Sequence, residues 1–203
     1  GKLGLPESYI GSPLGLIITN KKLLSPPLFN KAAILIDKAG EITIRRVNCS
    51  GGIRIKCNNH IVEFSPEAYN CMDPEKDLAY FDLMADKEAL PGNGRIFVRL
   101  AGNVVKEVIH SKENNVVPVV PVGLTLAFSQ KAFPKQLDEI EKTVEINVNG
   151  LEDIEHAIEA GPMLLNKGKL EIDMKTEGWK TNNSIRTQAA RLDYTDMRGP
   201  KIA

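Results

Sequence analysis

The stretch Asn149-Gly150-Leu151-Glu152-Asp153-Ile154-Glu155-His156-Ala157-Ile158-Glu159-Ala160-Gly161-Pro162-Met163-Leu164-Leu165-Asn166-Lys167-Gly168-Lys169 carries the clearest structural signal in the chain. Leu151, Ile154, Ala157 and Ile158 fall at offsets that gather apolar groups on one face of a 3.6-residue period, which predicts a short helix. Asn149 can cap it, and Glu152 and Asp153 occupy the first turn, where the helix dipole favours negative charge. Gly161-Pro162 ends it, because proline cannot continue the hydrogen-bond ladder. Met163-Leu164-Leu165 then reads as an apolar strand and Asn166-Lys167-Gly168 as a turn. On these residues alone the Gly161-Pro162 junction is a helix stop.

Working outward, Val144, Ile146 and Val148 alternate as a strand leading into this helix, and Leu170 to Met174 suggests a further strand beyond it. Residues 130–142 carry the second helix signal, with Leu137 and Ile140 on one face and Pro134 near the start. Elsewhere the pattern is extended. Leu14, Leu16 and Ile18 alternate as a half-buried strand does, and Pro26-Pro27 keeps the next segment out of a sheet interior. Residues 32–37 and 41–47 flank Lys38-Ala39-Gly40 as a hairpin, with Ile42, Ile44 and Val47 expected inward and Thr43, Arg45 and Arg46 outward. Two short strands surround Asn58-Asn59, and residues 95–100 and 104–110 form a second hairpin around Ala101-Gly102-Asn103. The predicted class is α+β, a mainly antiparallel β-sheet with two short helices, in a single domain spanning 1–203.

The composition narrows the function classes. Hydrophobic residues at 42% and charged residues at 26% describe a soluble globular chain. Its 26 basic and 26 acidic side chains cancel, which argues against nucleic acid as a partner. A membrane span is not expected, since no apolar run approaches the roughly 20 residues required. The start Gly1-Lys2-Leu3-Gly4 lacks the zones of a signal peptide.

Cys49, Cys57 and Cys71 have no Cys-x-x-Cys spacing, so they read as three thiols, or as one bridge and one free thiol. His60, His110 and His156 fit no metal-ligand spacing, and His156 is accounted for by a place near its helix C-terminus. No phosphate-loop or dinucleotide fingerprint is present, and neither a metal nor a cofactor is called for. Asp138 with Glu141, and Glu152 with Glu155, read as solvated helix faces. Arg186, Arg191, Arg198 and Lys201 form either a solvated basic loop or a receiver for an anionic ligand.

Three blocks, in order along the chain, resemble the phosphodiester glycosidase family. The first is Gly11-Ser12-Pro13-Leu14-Gly15-Leu16-Ile17-Ile18-Thr19-Asn20 with the hairpin at 32–47. The second comprises Tyr69-Asn70 and the strand containing Gly123-Leu124-Thr125-Leu126. The third is Ala160-Gly161-Pro162-Met163-Leu164-Leu165 with Gly168, followed by Arg198-Gly199-Pro200-Lys201-Ile202-Ala203, similar to the family's Arg-x-Pro-Arg-Thr-Ala segment.

The resemblance implies a hydrolase cleaving a sugar-1-phosphodiester, small-molecule or glycan. Gly161 and Pro162 would shape one wall of its cleft, and Arg198 and Lys201 would face the phosphate. Lysine at 201 keeps the charge of the family's arginine without its planar two-point grip. The family's Asn-Gly-Gly-Phe-Phe and Leu-Asp-Gly-Gly-Gly-Ser elements have no counterpart here. The chain is therefore expected to be the middle of such a domain, completed by a complementary segment or chain, with its catalytic carboxylate supplied from outside. Export to a periplasmic or extracellular location follows from the resemblance, whereas free thiols fit a reducing compartment equally well. The alternative is a non-catalytic β-rich module that binds a carbohydrate or a protein.

Overall fold

Residues 154–159 form a strand. In the computed structural model, which describes residues 7–28, 30–85, 87, 89–119, 122–161, 163 and 165–171, this strand lies at the centre of the largest sheet. That five-stranded sheet has the order β2 (Lys22–Ser25), β1 (Ile17–Thr19), β14 (Ile154–Glu159), β3 (Ala32–Asp37) and β4 (Ile42–Arg46), all neighbours antiparallel. The helix predicted for 151–160 is thus corrected. Ile154, His156 and Ile158 also alternate with Glu155, Ala157 and Glu159, and a strand here completes hydrogen-bond ladders on both sides. A helix of two turns would have to meet its nucleation cost alone. Asn149 caps nothing helical; its amide donates to Gly51 O at 2.9 Å. Glu152 accepts from Gly150 N at 2.9 Å, and Asp153 pairs with Lys38 at 2.7 Å.

The second predicted helix is corrected too. Only a 3-10 turn, Lys135–Leu137, forms there, with Leu137 buried and Ile140 exposed. The left-handed φ of +64° at Glu141 interrupts any helix, and the chain instead docks on the neighbouring hairpin through Glu141 N to Val105 O at 2.7 Å and Val105 N to Lys142 O at 2.8 Å. The protein is therefore β-rich and mostly antiparallel.

Four further sheets complete the described part. They are β13 (Glu145–Val148), β5 (Ile53–Cys57) and β6 (His60–Phe64); β10 (Val104–His110), β9 (Ile96–Ala101), β12 (Leu124–Phe128) and β7 (Leu78–Phe81); β11 (Val116–Pro118) with β8 (Ala89–Pro91); and β15 (Leu165–Asn166) with β16 (Lys169–Leu170). The three larger sheets share one core, in which Leu16, Leu35, Ile55, Phe64, Tyr80, Leu100 and Phe128 are buried. Phe64 meets Tyr80 and Phe128 edge to face, with ring centroids 5.6 Å apart in each pair. All residues of β9 and β12 are buried, because Phe81, Phe97 and Ala127 pack on the other side with Leu90 of β8 and Val117 of β11.

The hairpin at 32–47 forms, and Thr43 and Arg45 are exposed as expected, but Ile42 and Ile44 are not inward. Ile42 and Ile44 are 68% and 62% exposed, and only Val47 is buried. Ile17, Ile158, Ile34 and Ile44 form one row across four strands, beside the pair Ile36 and Ile42, on the face turned away from the core. Alternation gives the period of a strand and leaves open which face is covered.

At Gly123 (φ +71°), an added Cβ would lie 1.7 Å from Leu100 O; at Gly40 (φ +79°), it would meet nothing within 4 Å. Gly123→Ala should therefore cost more than about 3 kcal/mol in urea denaturation, and Gly40→Ala about 1 kcal/mol. Equal losses would contradict this packing.

Candidate functional site

The C-terminal end of β14 delivers Gly161, the predicted wall residue, to an exposed position where a Cβ would meet nothing within 4 Å. The junction is approached by a strand. Pro162, Arg198 and Lys201, together with Arg186 and Arg191, lie outside the described residues. Two residues before Gly161, the fold assembles a polar cluster around Glu159 from segments distant in sequence.

Its first member is Glu159. One carboxylate oxygen accepts from Leu16 N at 2.7 Å and Leu28 N at 2.9 Å, so the side chain clamps both ends of the β1–β2 segment. The path to those amides crosses Gly15, where a Cβ would come within 2.8 Å of the Glu159 carboxyl carbon. Main-chain bonds continue the seam: Glu159 N to Leu16 O and Ala160 N to Ala32 O, both 2.8 Å.

Next to it, Pro27 O lies 3.9 Å from Cys49 Sγ. Tyr80 donates to Cys49 O at 2.6 Å, and its ring packs on Tyr69 with centroids 5.4 Å apart. Tyr69 in turn donates to Asp82 Oδ2 at 2.8 Å, while Asn70 Nδ2 and Met84 N both donate to Oδ1 at 2.9 Å. Asp82 is only 2% exposed, and three donors keep its buried charge satisfied. Asn70 Oδ1 accepts from Asp82 N at 3.0 Å, which fixes the orientation of its side-chain amide.

These contacts make the cluster electrostatically negative at depth. Burial pushes the Cys49 thiol well above its ordinary pKa, and the carboxylates of Asp82 and Glu159 push it further. Burial raises the Tyr69 phenol as well, followed by the charge of Asp82 and its hydrogen bond. Both groups stay protonated at neutral pH. Nearer the surface, Arg46 donates to Asn30 O at 3.1 Å and Glu171 at 3.2 Å, Asn48 donates to Asn30 at 2.9 Å, and Asn166 donates to Glu171 at 2.6 Å. The cluster thus combines a cation, several amides, the buried carboxylate of Asp82 and the half-buried carboxylate of Glu159, two residues before the exposed Gly161.

Of the residues singled out in the sequence, Cys49, Tyr69 and Asn70 fall in this cluster, and Gly161 follows Glu159 by two residues. Asp82, Glu159 and Arg46 were missed as site residues. An acid closing the apolar run Leu78-Ala79-Tyr80-Phe81 was the available signal for Asp82. Cys49, Cys57 and Cys71 are all free thiols, the first two buried and the third exposed. His60 is exposed, and His110 lies 3.4 Å from Asp138. His156 sits on β14, so its predicted place near a helix C-terminus is corrected. Glu141 pairs with Lys106 at 3.0 Å. Among the described residues, no group of three or more His, Cys, Asp or Glu is arranged to hold a metal, and no helix is long and apolar enough to cross a membrane.

No family model and no curated protein matches this chain. Among solved structures it is similar to a hypothetical protein from Synechocystis, at 16% identity and a TM-score of 0.40, over 87% of this chain and 33% of that one. It is also similar to a "Putative exported protein" from Burkholderia pseudomallei K96243, at 13% identity and a TM-score of 0.31, over 74% of this chain and 37% of that one. The chain spans about a third of the length of each. The reading of the site rests on its own residues.

Two outcomes follow from this geometry. In the folded protein a thiol reagent should label Cys71 rapidly and Cys49 only on unfolding; fast labelling of Cys49 would contradict its burial. Folded-state pKa values raised at Cys49 and Tyr69 contribute stability that is fully present below the unfolded values, about 8.5 and about 10, and is lost as pH rises through them toward the folded values. Stability should thus fall from about pH 8.5 upward, and Tyr69→Phe should flatten the part of the decline above about pH 10. An unchanged slope would remove Tyr69 from the account.

Proposed function

We propose that the complete protein is a hydrolase of the phosphodiester glycosidase type, cleaving the bond between a sugar's anomeric carbon and a phosphodiester. The supporting observation is the polar cluster that Glu159 of β14 shares with Cys49, Asp82 and Asn70, two residues before Gly161 and the third block that resembles that family. In this reading the domain of 1–203 is completed by segments beyond it, Gly161 and Pro162 wall the cleft, and Arg198 and Lys201 hold the phosphate. Glu159 and Asp82 position the walls: one clamps the β1–β2 segment, and the other orients Asn70 and Tyr69.

The chemistry suits a site richer in cations than in paired acids. A phosphodiester leaves as a stabilised anion, so cationic side chains can do much of the work that a general acid does for an ordinary glycoside. A carboxylate from the completing segment would activate water or stabilise the oxocarbenium-like transition state. Export belongs to the same proposal.

One observation favours a second reading, a non-catalytic β-rich module that binds a carbohydrate or a protein: the open face bearing Ile42, Ile44 and Ile158 has the character of a contact surface. The readings part on hydrolysis of a sugar-1-phosphodiester by the full-length protein. The hydrolase reading expects turnover, and a fall of about 10- to 100-fold in kcat/KM for Lys201→Ala. Binding without turnover would overturn it in favour of the module, and equal rates would remove Lys201 from the mechanism.

A further inference from the structure

A second polar site lies at the other end of β14. An open groove of about 470 Å³ is lined by Asn20, Lys21 and Lys22 from the β1–β2 turn, Lys56 and Asn58 from the β5–β6 hairpin, and Glu145 and Asn147 from β13. Leu23, Val144 and Ile146, all buried, also line it. Lys21 N donates to Glu155 O at 2.9 Å, which fixes the turn near the start of β14. Six residues of extended chain, about 20 Å, separate Glu155 from Gly161.

The charge of the groove is unlike that of the chain. Equal numbers of acids and bases make the protein neutral, yet three lysines meet here against Glu145, which pairs with Lys56 at 3.1 Å. Lys21 also stands within electrostatic reach of Asp153, whose carboxylate is bonded to Lys38 at 2.7 Å. Lys21 and Lys22 are exposed.

The backbone adds an independent observation. Thr19 pairs with Lys22, so Asn20 (φ +50°) and Lys21 (φ +63°) are the two central residues of the hairpin, both left-handed. Asparagine is at home there, but the second position favours glycine. The corresponding β15–β16 turn follows that preference, with Lys167 at φ +51° and Gly168 at φ +75°. A lysine held in a conformation that glycine adopts more easily is strain kept at a lysine-lined groove, where its charge has a use.

We propose that this groove binds an anionic carbohydrate, its carboxylate or phosphate seated among Lys21, Lys22 and Lys56 and its hydroxyls on the amides of Asn20, Asn58 and Asn147. The volume accommodates a small saccharide. The lining contains no aromatic ring on which a nucleobase could stack, and its three amides match hydroxyl groups. This site stands independently of the hydrolase reading, and loss of hydrolysis leaves it untouched.

The test is an amide NMR titration of the protein with trigalacturonate and with glucose 1-phosphate, using maltotriose and hexaglutamate as comparators. Shifts centred on Lys21, Lys22, Asn58 and Asn147 with at least one of the two anionic sugars, weakened by added salt, are expected. Lys21→Gly relieves the turn, so its melting temperature should not fall, while affinity drops about three- to fivefold. Lys56→Met should weaken binding similarly. Absence of these shifts with both anionic sugars, equal binding of maltotriose or hexaglutamate, or unchanged affinity in Lys21→Gly would overturn the proposal.

Discussion

One carboxylate holds the two ends of the described chain together. Glu159 accepts hydrogen bonds from backbone amides 143 and 131 residues earlier, at Leu16 and Leu28. Hydrogen bonds to a charged acceptor are worth about 1.5–3 kcal/mol each, and leaving the two amides unpaired on a part-buried seam would carry a further penalty. Gly15 makes the arrangement feasible, because any side chain there would occupy the path of Glu159.

Around that clamp the architecture becomes intelligible. β14 arrives late in the chain and enters between β1 and β3, so the sheet closes only when distant segments meet. The same strand connects two polar regions. Its start fixes the lysine-bearing turn through Glu155, and its end carries Glu159, whose carboxylate acts on Cys49 together with that of Asp82. Displacing β14 would disturb both, while the four-stranded sheet of β7, β9, β10 and β12, which makes no ladder with β14 and has a second core on its other side, depends on it less.

Local turn chemistry was legible in the sequence. Lys38-Ala39-Gly40 and the turn at Gly102-Asn103 marked two hairpins correctly, because glycine there meets a backbone requirement set by neighbouring residues. β14 was misread because Leu151, Ile154, Ala157 and Ile158 satisfy a helical period while Ile154, His156 and Ile158 satisfy a strand period. The choice between them was made by two partner strands more than a hundred residues away. The outward facing of Ile42 and Ile44 likewise depends on which sheet face receives the core. Asp82 and Glu159 escaped notice as site residues because their importance lies in donors brought by folding: Tyr69, Asn70, Leu16 and Leu28. Of the four residues expected to line the cleft, Gly161 has a described position, and Pro162, Arg198 and Lys201 lie outside the described residues.

The dependence of the fold on Glu159 is tested most directly by amide hydrogen exchange at Leu16 and Leu28 in the native protein and in Glu159→Ala. The account predicts that both amides exchange slowly in the native protein, at rates comparable with amides inside β3, and that both lose protection together in the variant while β9 and β12 keep theirs. Rapid exchange of Leu16 and Leu28 in the native protein, or unchanged protection in the variant, would contradict it.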